Sequence, residues 1–273
     1  MMKIKLIATD LDGTLLQSDH QIGKKTRQTL MKLAQKGVKI VPASGRPLTG
    51  VLPYTEKLGL AGKQNYAVLF NGAVVQNLAG KSLIRHQLTF SDAEGMLKLQ
   101  KKAPSNLHFM REDRFYTLDH ELSIQMGKTV FLNRMKIKIM DQLPTDFSYL
   151  KAEFTGEGPE MDRLGKEFPA WLYEKYNVAR TDPMIWEINE RRASKGMAVH
   201  ELAQLLGISD QEVVVFGDQG NDLSMFENPN FYKVAMGNAI DELKEKANFV
   251  TRNNDDEGIS YALERLVTED GNE

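Results

Sequence analysis

The chain has 273 residues, with Lys plus Arg at 35 and Asp plus Glu at 37, for a formal net charge of -2. That balance gives no overall field for nucleic acid or an anionic membrane, and the absence of cysteine excludes disulfides, thiolate metal sites and cysteine nucleophiles. With 41% hydrophobic and 26% charged residues the composition is that of a globular protein, long enough for one large or two modest domains.

No stretch approaches the ~20 apolar residues of a membrane span. The short apolar run near the N-terminus leads straight into Asp10 rather than forming a signal segment. A soluble, cytoplasmic protein is expected.

In chain order, the run Ile4 to Ala8 lacks polar alternation and reads as a central parallel strand, with Asp10 and Asp12 at its exit. Ile22 to Gly37 reads as a helix with one apolar face and Gly37 as its left-handed cap. Val38 to Ala43 is a second strand ending in Ser44-Gly45-Arg46-Pro47, and Pro47 can occupy the first position of the next helix. Pro53 is expected to kink or interrupt that helix, which ends near Gly59. Tyr66 to Phe70 is a third strand, followed by Asn71-Gly72, and Val74-Gln76 with Ser82-Arg85 reads as a hairpin.

From about Leu83 the texture changes. Ser91 to Ala103 reads as a helix with Ser91 as N-cap and Glu94 completing a capping box. A hairpin of Leu107–Met110 and Arg114–Leu118 follows, then a helix over about His120 to Leu132. Lys151–Thr155 and Ile185–Ile188 alternate like strands, with helical material broken by Pro169 between them. Hairpins and segregated helices indicate an α+β unit inserted into the first domain. Trp171 and Trp186 are expected in its core. The α/β pattern then returns: a helix over Lys195–Leu206 closed by Gly207, a buried strand Val213–Phe216, and Gly217-Asp218-Gln219-Gly220-Asn221-Asp222. Val234–Met236, Asn248–Thr251 and a helix over Glu257–Val267 complete it, and Thr268 to Glu273 reads as a frayed polar end.

Strand ends thus carry Asp10/Asp12, Ser44/Arg46 and Asp218/Asn221/Asp222, while Lys195 opens a helix. Each alone is ordinary turn or surface chemistry. Open α/β sheets bind ligands beyond the carboxyl ends of their strands, so these clusters could meet at one edge. Together they form an inventory for gripping and transferring a phosphoryl group. Asp10 can attack phosphorus, Mg2+ held by Asp10 and Asp218 would screen the approach, and Asp12 is placed to move the leaving-group proton. Ser44 and Lys195 would bind non-bridging oxygens. A calcium loop does not fit, because Thr14 and Leu15 stand where that loop needs Asp or Asn and then Gly.

As an ordered set, Asp10-Leu11-Asp12-Gly13-Thr14, Ser44-Gly45-Arg46, Asn71-Gly72, Ser194-Lys195-Gly196 and Gly217 to Asp222 resemble the motif series of the haloacid dehalogenase-like superfamily. Within it they are most similar to the Cof-type phosphatases of subclass IIB. The resemblance implies a Rossmann-like parallel-sheet core domain (residues 1-82 and 190-273) with an inserted α+β cap domain (83-189) that sets substrate specificity. It makes Asp10 the nucleophile and Asp12 the general acid/base, with Mg2+ held by the Asp10 side chain, the Asp12 carbonyl and the Asp218 side chain. Phosphate contacts would come from Leu11, Ser44, Gly45, Lys195 and Asn221, with Asp222 supporting the site from behind and Arg46 and Asn71 reaching toward substrate. The implied activity is Mg2+-dependent hydrolysis of small phosphorylated metabolites, sugar phosphates first, by a monomer or weak homo-oligomer that binds neither nucleic acid nor membrane. A phosphomutase of similar cap type, or a non-catalytic phosphometabolite-binding protein, are the alternatives.

Overall fold

The computed structural model describes residues 3–102 and 104–268. The chain divides into two compact units: one runs from the N-terminus to Ile84 and resumes at Ser194, and the other is Arg85–Ala193.

The first unit is built on a five-stranded parallel sheet in the order Phe249–Val250, Tyr232–Ala235, Val213–Gly217, Leu6–Thr9, Lys39–Pro42. Leu6–Thr9 is fully buried and pairs with Val213–Phe216 on one side and Lys39–Pro42 on the other. Burial on both faces explains its unbroken apolar run. The chain reverses direction across the sheet beside this strand, which opens the ligand crevice of such folds at its carboxyl end.

The helices follow the expected pattern, Lys24–Gln35 ending before Gly37 at φ +91° and Lys195–Leu205 before Gly207 at φ +67°. The helix Leu48–Lys57 differs. It runs through Pro53 without interruption, held by its buried face of Gly50, Val51 and Thr55, and Pro47 caps it rather than occupying its first position. The third strand is longer than predicted, Gly62–Leu69, and joins the main sheet at a parallel bridge between Ala43 and Val68. It otherwise pairs antiparallel with Val74–Leu78, which lies beside Ser82–Arg85 on its other edge, the two strands expected to form a hairpin. The helices Leu223–Glu227 and Asp241–Lys246 are too short to leave a periodic signal.

The second unit is a six-stranded sheet in the order Tyr176–Asp182, Ile185–Glu190, Lys151–Thr155, Asn106–Met110, Arg114–Thr117, Lys136–Ile139. Its outer strands, Tyr176–Asp182 and Lys136–Ile139, were not predicted. Edge strands are half solvated and carry Lys, Arg and Asp, which blunts the apolar pattern. The helices Phe90–Gln100, Gly158–Lys166 and Ala170–Lys175 pack Met96, Leu99, Met161, Leu164 and Leu172 against Phe109, Ala152, Phe154 and Ile188 of the sheet. Trp186 joins this core, its indole N–H donating to the Met161 carbonyl, but Trp171 is 44% exposed. The fourth helix of the unit is Ile124–Asn133.

The cap of the first of these helices is Thr89, two residues before the predicted Ser91, and the predicted end at Ala103 lies outside the described residues, as do residues 269–273. Thr89 accepts from the Asp92 N–H, and the Asp92 carboxylate accepts from the Thr89 N–H at 2.8 Å. The same T-x-x-D spacing as a capping box, moved by two residues, wins because Asp92 has further partners. Its other oxygen accepts from Lys175 Nζ and the Tyr176 hydroxyl, both at 2.6 Å.

Burial pushes the Asp92 carboxyl up, but these hydrogen bonds outweigh it and hold the group at about 2, below its ordinary 3.8. A carboxyl lowered in the fold stabilises above its unfolded pKa, and that contribution disappears as pH falls toward the folded value. Asp92→Asn is therefore expected to cost about 1–3 kcal/mol at neutral pH through a weakened cap and a lost ion pair. The gap between variant and wild type should close between about pH 4 and 2. Urea unfolding across that range measures both.

Candidate active site

The residues predicted to act together come from separate turns of the first unit. Directly after Leu6–Thr9, the Leu15 N–H donates to the Asp10 carbonyl at 3.2 Å and the Leu16 N–H to the Leu11 carbonyl at 2.8 Å. These five-residue spans make one π-like turn. Leu11 is fully buried in it, while the Asp10 and Asp12 side chains take different environments.

Asp10 is 6% exposed. Its Oδ1 accepts from Lys195 Nζ at 2.6 Å, and the same ammonium donates to Asp222 Oδ1 at 2.7 Å. Lys195 is wholly buried because Ser194 caps its helix and starts it with the side chain turned inward. The other Asp222 oxygen accepts from the Asp218 and Gln219 N–H groups at 2.9 and 3.1 Å, so both its oxygens are committed to protein donors. Asp218 stands on the same turn with Oδ1 accepting from the Thr14 hydroxyl at 2.6 Å.

One carboxylate oxygen from each of Asp10, Asp218 and Asp222 lies within 4.8 Å of the others. Three buried carboxylates share one ammonium, and the electrostatics show the shortage of positive charge. Burial pushes Asp10 up to about 7; Lys195 opposes that, and Asp222 and Asp218 add to it. Burial raises Asp218 to about 6, against the Thr14 hydrogen bond and with a further push from Asp222. Lys195 is held above its ordinary value, because its carboxylate neighbours outweigh the burial that would lower it.

An all-oxygen donor set with excess negative charge fits a hard divalent cation such as Mg2+. Asp10 and Asp218 are the side chains to hold it, since Asp222 is already used. Gly13 is required for this approach. Its φ is +78°, and a Cβ there would lie 2.4 Å from Asp218 Oδ2.

Ser44 is 2% exposed, and its hydroxyl accepts from the Arg46 N–H at 3.2 Å. Arg46 reaches to Asp12: its Nε donates to Asp12 Oδ2 at 2.9 Å and its Nη2 to Asp12 Oδ1. Asn71 lies at φ +56° between Phe70 and Gly72, which are also left-handed. Its N–H donates to the Ser44 carbonyl at 3.0 Å, and its Oδ1 accepts from Asn221 Nδ2 at 3.2 Å. A Cβ at Gly45 would be 3.1 Å from the Asn71 amide oxygen, and one at Gly72 would be 2.1 Å from the Ser194 carbonyl oxygen. Glycine at these two positions admits the Asn71 side chain against Gly45 and the Ser194 backbone against Gly72.

All eleven predicted side chains or backbone positions thus belong to one unit and one linked set of turns. The structure adds two supports. Thr14 holds Asp218, and Asn238 Nδ2 donates to the Gly13 carbonyl at 2.8 Å while Asn238 Oδ1 accepts from the Asn254 N–H. Asn238 follows the strand Tyr232–Ala235, so the strand-end rule that marks the other sites also points to it.

Comparison with known proteins adds an independent line. A family model described as haloacid dehalogenase-like hydrolase matches residues 7–263. YxeH of Bacillus subtilis is 36% identical over 266 residues, covering 96% of this chain and 98% of that protein. The 5-amino-6-(5-phospho-D-ribitylamino)uracil phosphatase YwtE of the same organism is 29% identical over 97% of this chain and 99% of its own. A haloacid dehalogenase-like hydrolase structure from Bacteroides thetaiotaomicron superposes with a TM-score of 0.84 at 28% identity, covering 97% of this chain and all of that one. Among the described residues no helix is long and apolar enough to cross a membrane.

Proposed function

Because the chain belongs to the haloacid dehalogenase-like hydrolase family and is a phosphatase of it, we propose that it hydrolyses small phosphorylated metabolites through an aspartyl-phosphate on Asp10, with Mg2+ bound. The observation that carries this reading is the buried cluster in which Lys195 joins Asp10 to Asp222 beside Asp218.

Mg2+ held by Asp10, Asp218 and the Asp12 carbonyl would neutralise charge on the phosphoryl group. The remaining chemistry belongs to the chain. The free carboxylate oxygen of Asp10 attacks phosphorus as the ester P–O bond breaks. Asp12 gives its proton to the departing alkoxide oxygen, which leaves as the alcohol. Asp12, now a carboxylate, takes a proton from water; that oxygen attacks phosphorus, the Asp10–phosphorus bond breaks, and inorganic phosphate departs with Asp10 restored. Lys195 favours the ionised form of Asp10 and aims it, and with Ser44, Asn221 and the backbone at Leu11 and Gly45 it binds the non-bridging oxygens.

Sugar phosphates are the first substrate class to expect. YwtE acts on a phosphorylated ribityl compound, by its name, and supports a polyol-like leaving group. We assign the choice among such substrates to the unit Arg85–Ala193, since every residue of the cluster comes from the other unit.

Purified protein is expected to turn over an aryl phosphate with Mg2+ and to lose that activity in excess chelator. Acid quenching during turnover, followed by hydroxylamine, should convert Asp10 to its hydroxamate, read by peptide mass. Turnover without such a mark at Asp10 would reject the covalent route. Transfer between two hydroxyls of one sugar, outpacing release of phosphate, would favour a mutase.

A further inference from the structure

The resemblance places Arg46 as a substrate contact, yet its guanidinium is already engaged. We propose that Arg46 is the positioning residue of the proton-transfer step: it holds the Asp12 carboxyl in plane, so that Asp12 can serve poor leaving groups. The proposal deepens the phosphatase reading above and rests on it.

The guanidinium meets both oxygens of Asp12 as a two-pronged fork. Such bidentate pairs fix orientation as well as distance. Asp12 itself is otherwise poorly restrained. Its side chain is 48% exposed, and His20 Nδ1 stands 4.0 Å from Oδ1, beyond hydrogen-bond distance. Without the fork, a half-exposed aspartate at a turn would sample several rotamers.

Arg46, by contrast, is built in. Its N–H is tied to the Ser44 hydroxyl, and its carbonyl accepts from the Phe70 N–H at 3.3 Å. Its stem packs where Gly50 has no side chain: a Cβ there would lie 3.3 Å from Arg46 Cβ and 3.5 Å from Cδ. The guanidinium carbon sits 5.6 Å from the centre of the Tyr54 ring. A slot this specific suits a side chain that must point one way.

The fork also sets how Asp12 can work. Its proton goes to the bridging oxygen of the substrate as the P–O bond breaks, so one carboxyl oxygen must be free of the guanidinium at that moment. Releasing one prong presents that oxygen, while the other prong prevents the side chain from turning away. A lysine can supply the charge but not two parallel donors.

Leaving-group dependence separates this role from phosphate binding. An aryl phosphate leaves readily without a proton, whereas a sugar or alkyl phosphate needs one. In Arg46→Ala the ratio of kcat/KM for an aryl phosphate to that for a hexose phosphate is expected to rise about tenfold or more over wild type. Arg46→Lys should raise the ratio as well, because charge alone does not hold the plane. In an Asp12→Asn background the Arg46→Ala change should leave the ratio where Asp12→Asn alone puts it.

An equal loss for both esters, with weaker inhibition by inorganic phosphate, would overturn the proposal and make Arg46 a phosphate ligand. A wild-type ratio in Arg46→Lys would overturn it too. Failure of the wild-type protein to turn over either ester would instead reject the phosphatase reading beneath it. Thermal unfolding of each variant checks that the ratios come from folded protein.

Discussion

Asp10→Asn protein is expected to fold, to bind phosphate esters and to lose turnover by about 10,000-fold or more, as when the nucleophile of a covalent mechanism is removed. Asn preserves the shape of the side chain and can still accept from Lys195, whose second carboxylate partner at 2.7 Å remains. What disappears is the nucleophilic oxygen. The cost to stability should be small, because the change removes one of three clustered buried carboxylates and so relieves repulsion as well as breaking an ion pair. Loss of activity with the melting temperature held within a few degrees identifies a chemical role for Asp10. A variant retaining more than about a tenth of wild-type activity would rule out Asp10 as the nucleophile.

Lys195→Met should do more damage to the fold. The ammonium is fully buried and is the shared partner of Asp10 and Asp222. Removing one member of a buried charge network leaves the others desolvated without compensation, which typically costs about 3–5 kcal/mol. In a protein of this size that corresponds to a fall in melting temperature of roughly 10 °C. Turnover should fall by about 100-fold or more in whatever protein remains folded, since Asp10 loses its orienting donor and the phosphoryl oxygens lose a cation. A second change, Asp222→Asn, should recover part of the stability by removing the charge that Lys195 leaves stranded, although it gives up hydrogen bonds to the Asp218 and Gln219 N–H groups. Independent, additive losses in the double variant would show that the two residues do not share one network.

Much of this site is legible because each functional group stands at the end of an apolar run. Leu6–Thr9 and Val213–Gly217 are buried on both faces, so their sequences carry no charged residue until the chain leaves the sheet, and the first ones to appear are Asp10 and Asp218. Lys195 is marked by a helix start after Ser194. The elements that were displaced or missed have weaker local causes. Thr89 and Ser91 both satisfy a cap pattern, and the choice between them rests on Lys175 and Tyr176, more than eighty residues away. Pro53 continues its helix because tertiary burial of Val51 and Thr55 outweighs one missing backbone donor.

The sequence by itself determined the strand-and-helix alternation, the insertion from about Leu83, and the identity of the groups at the sheet edge, because burial period and turn chemistry are local properties of the chain. Only the tertiary structure decided how those groups divide their partners. Composition cannot tell that both oxygens of Asp222 are used by Lys195 and two backbone donors, leaving Asp10 and Asp218 for a cation. Nor can it tell that Arg46 turns its fork to Asp12. Those assignments depend on hydrogen-bond distances between side chains on separate turns, and such distances are fixed only when the strands pair in register.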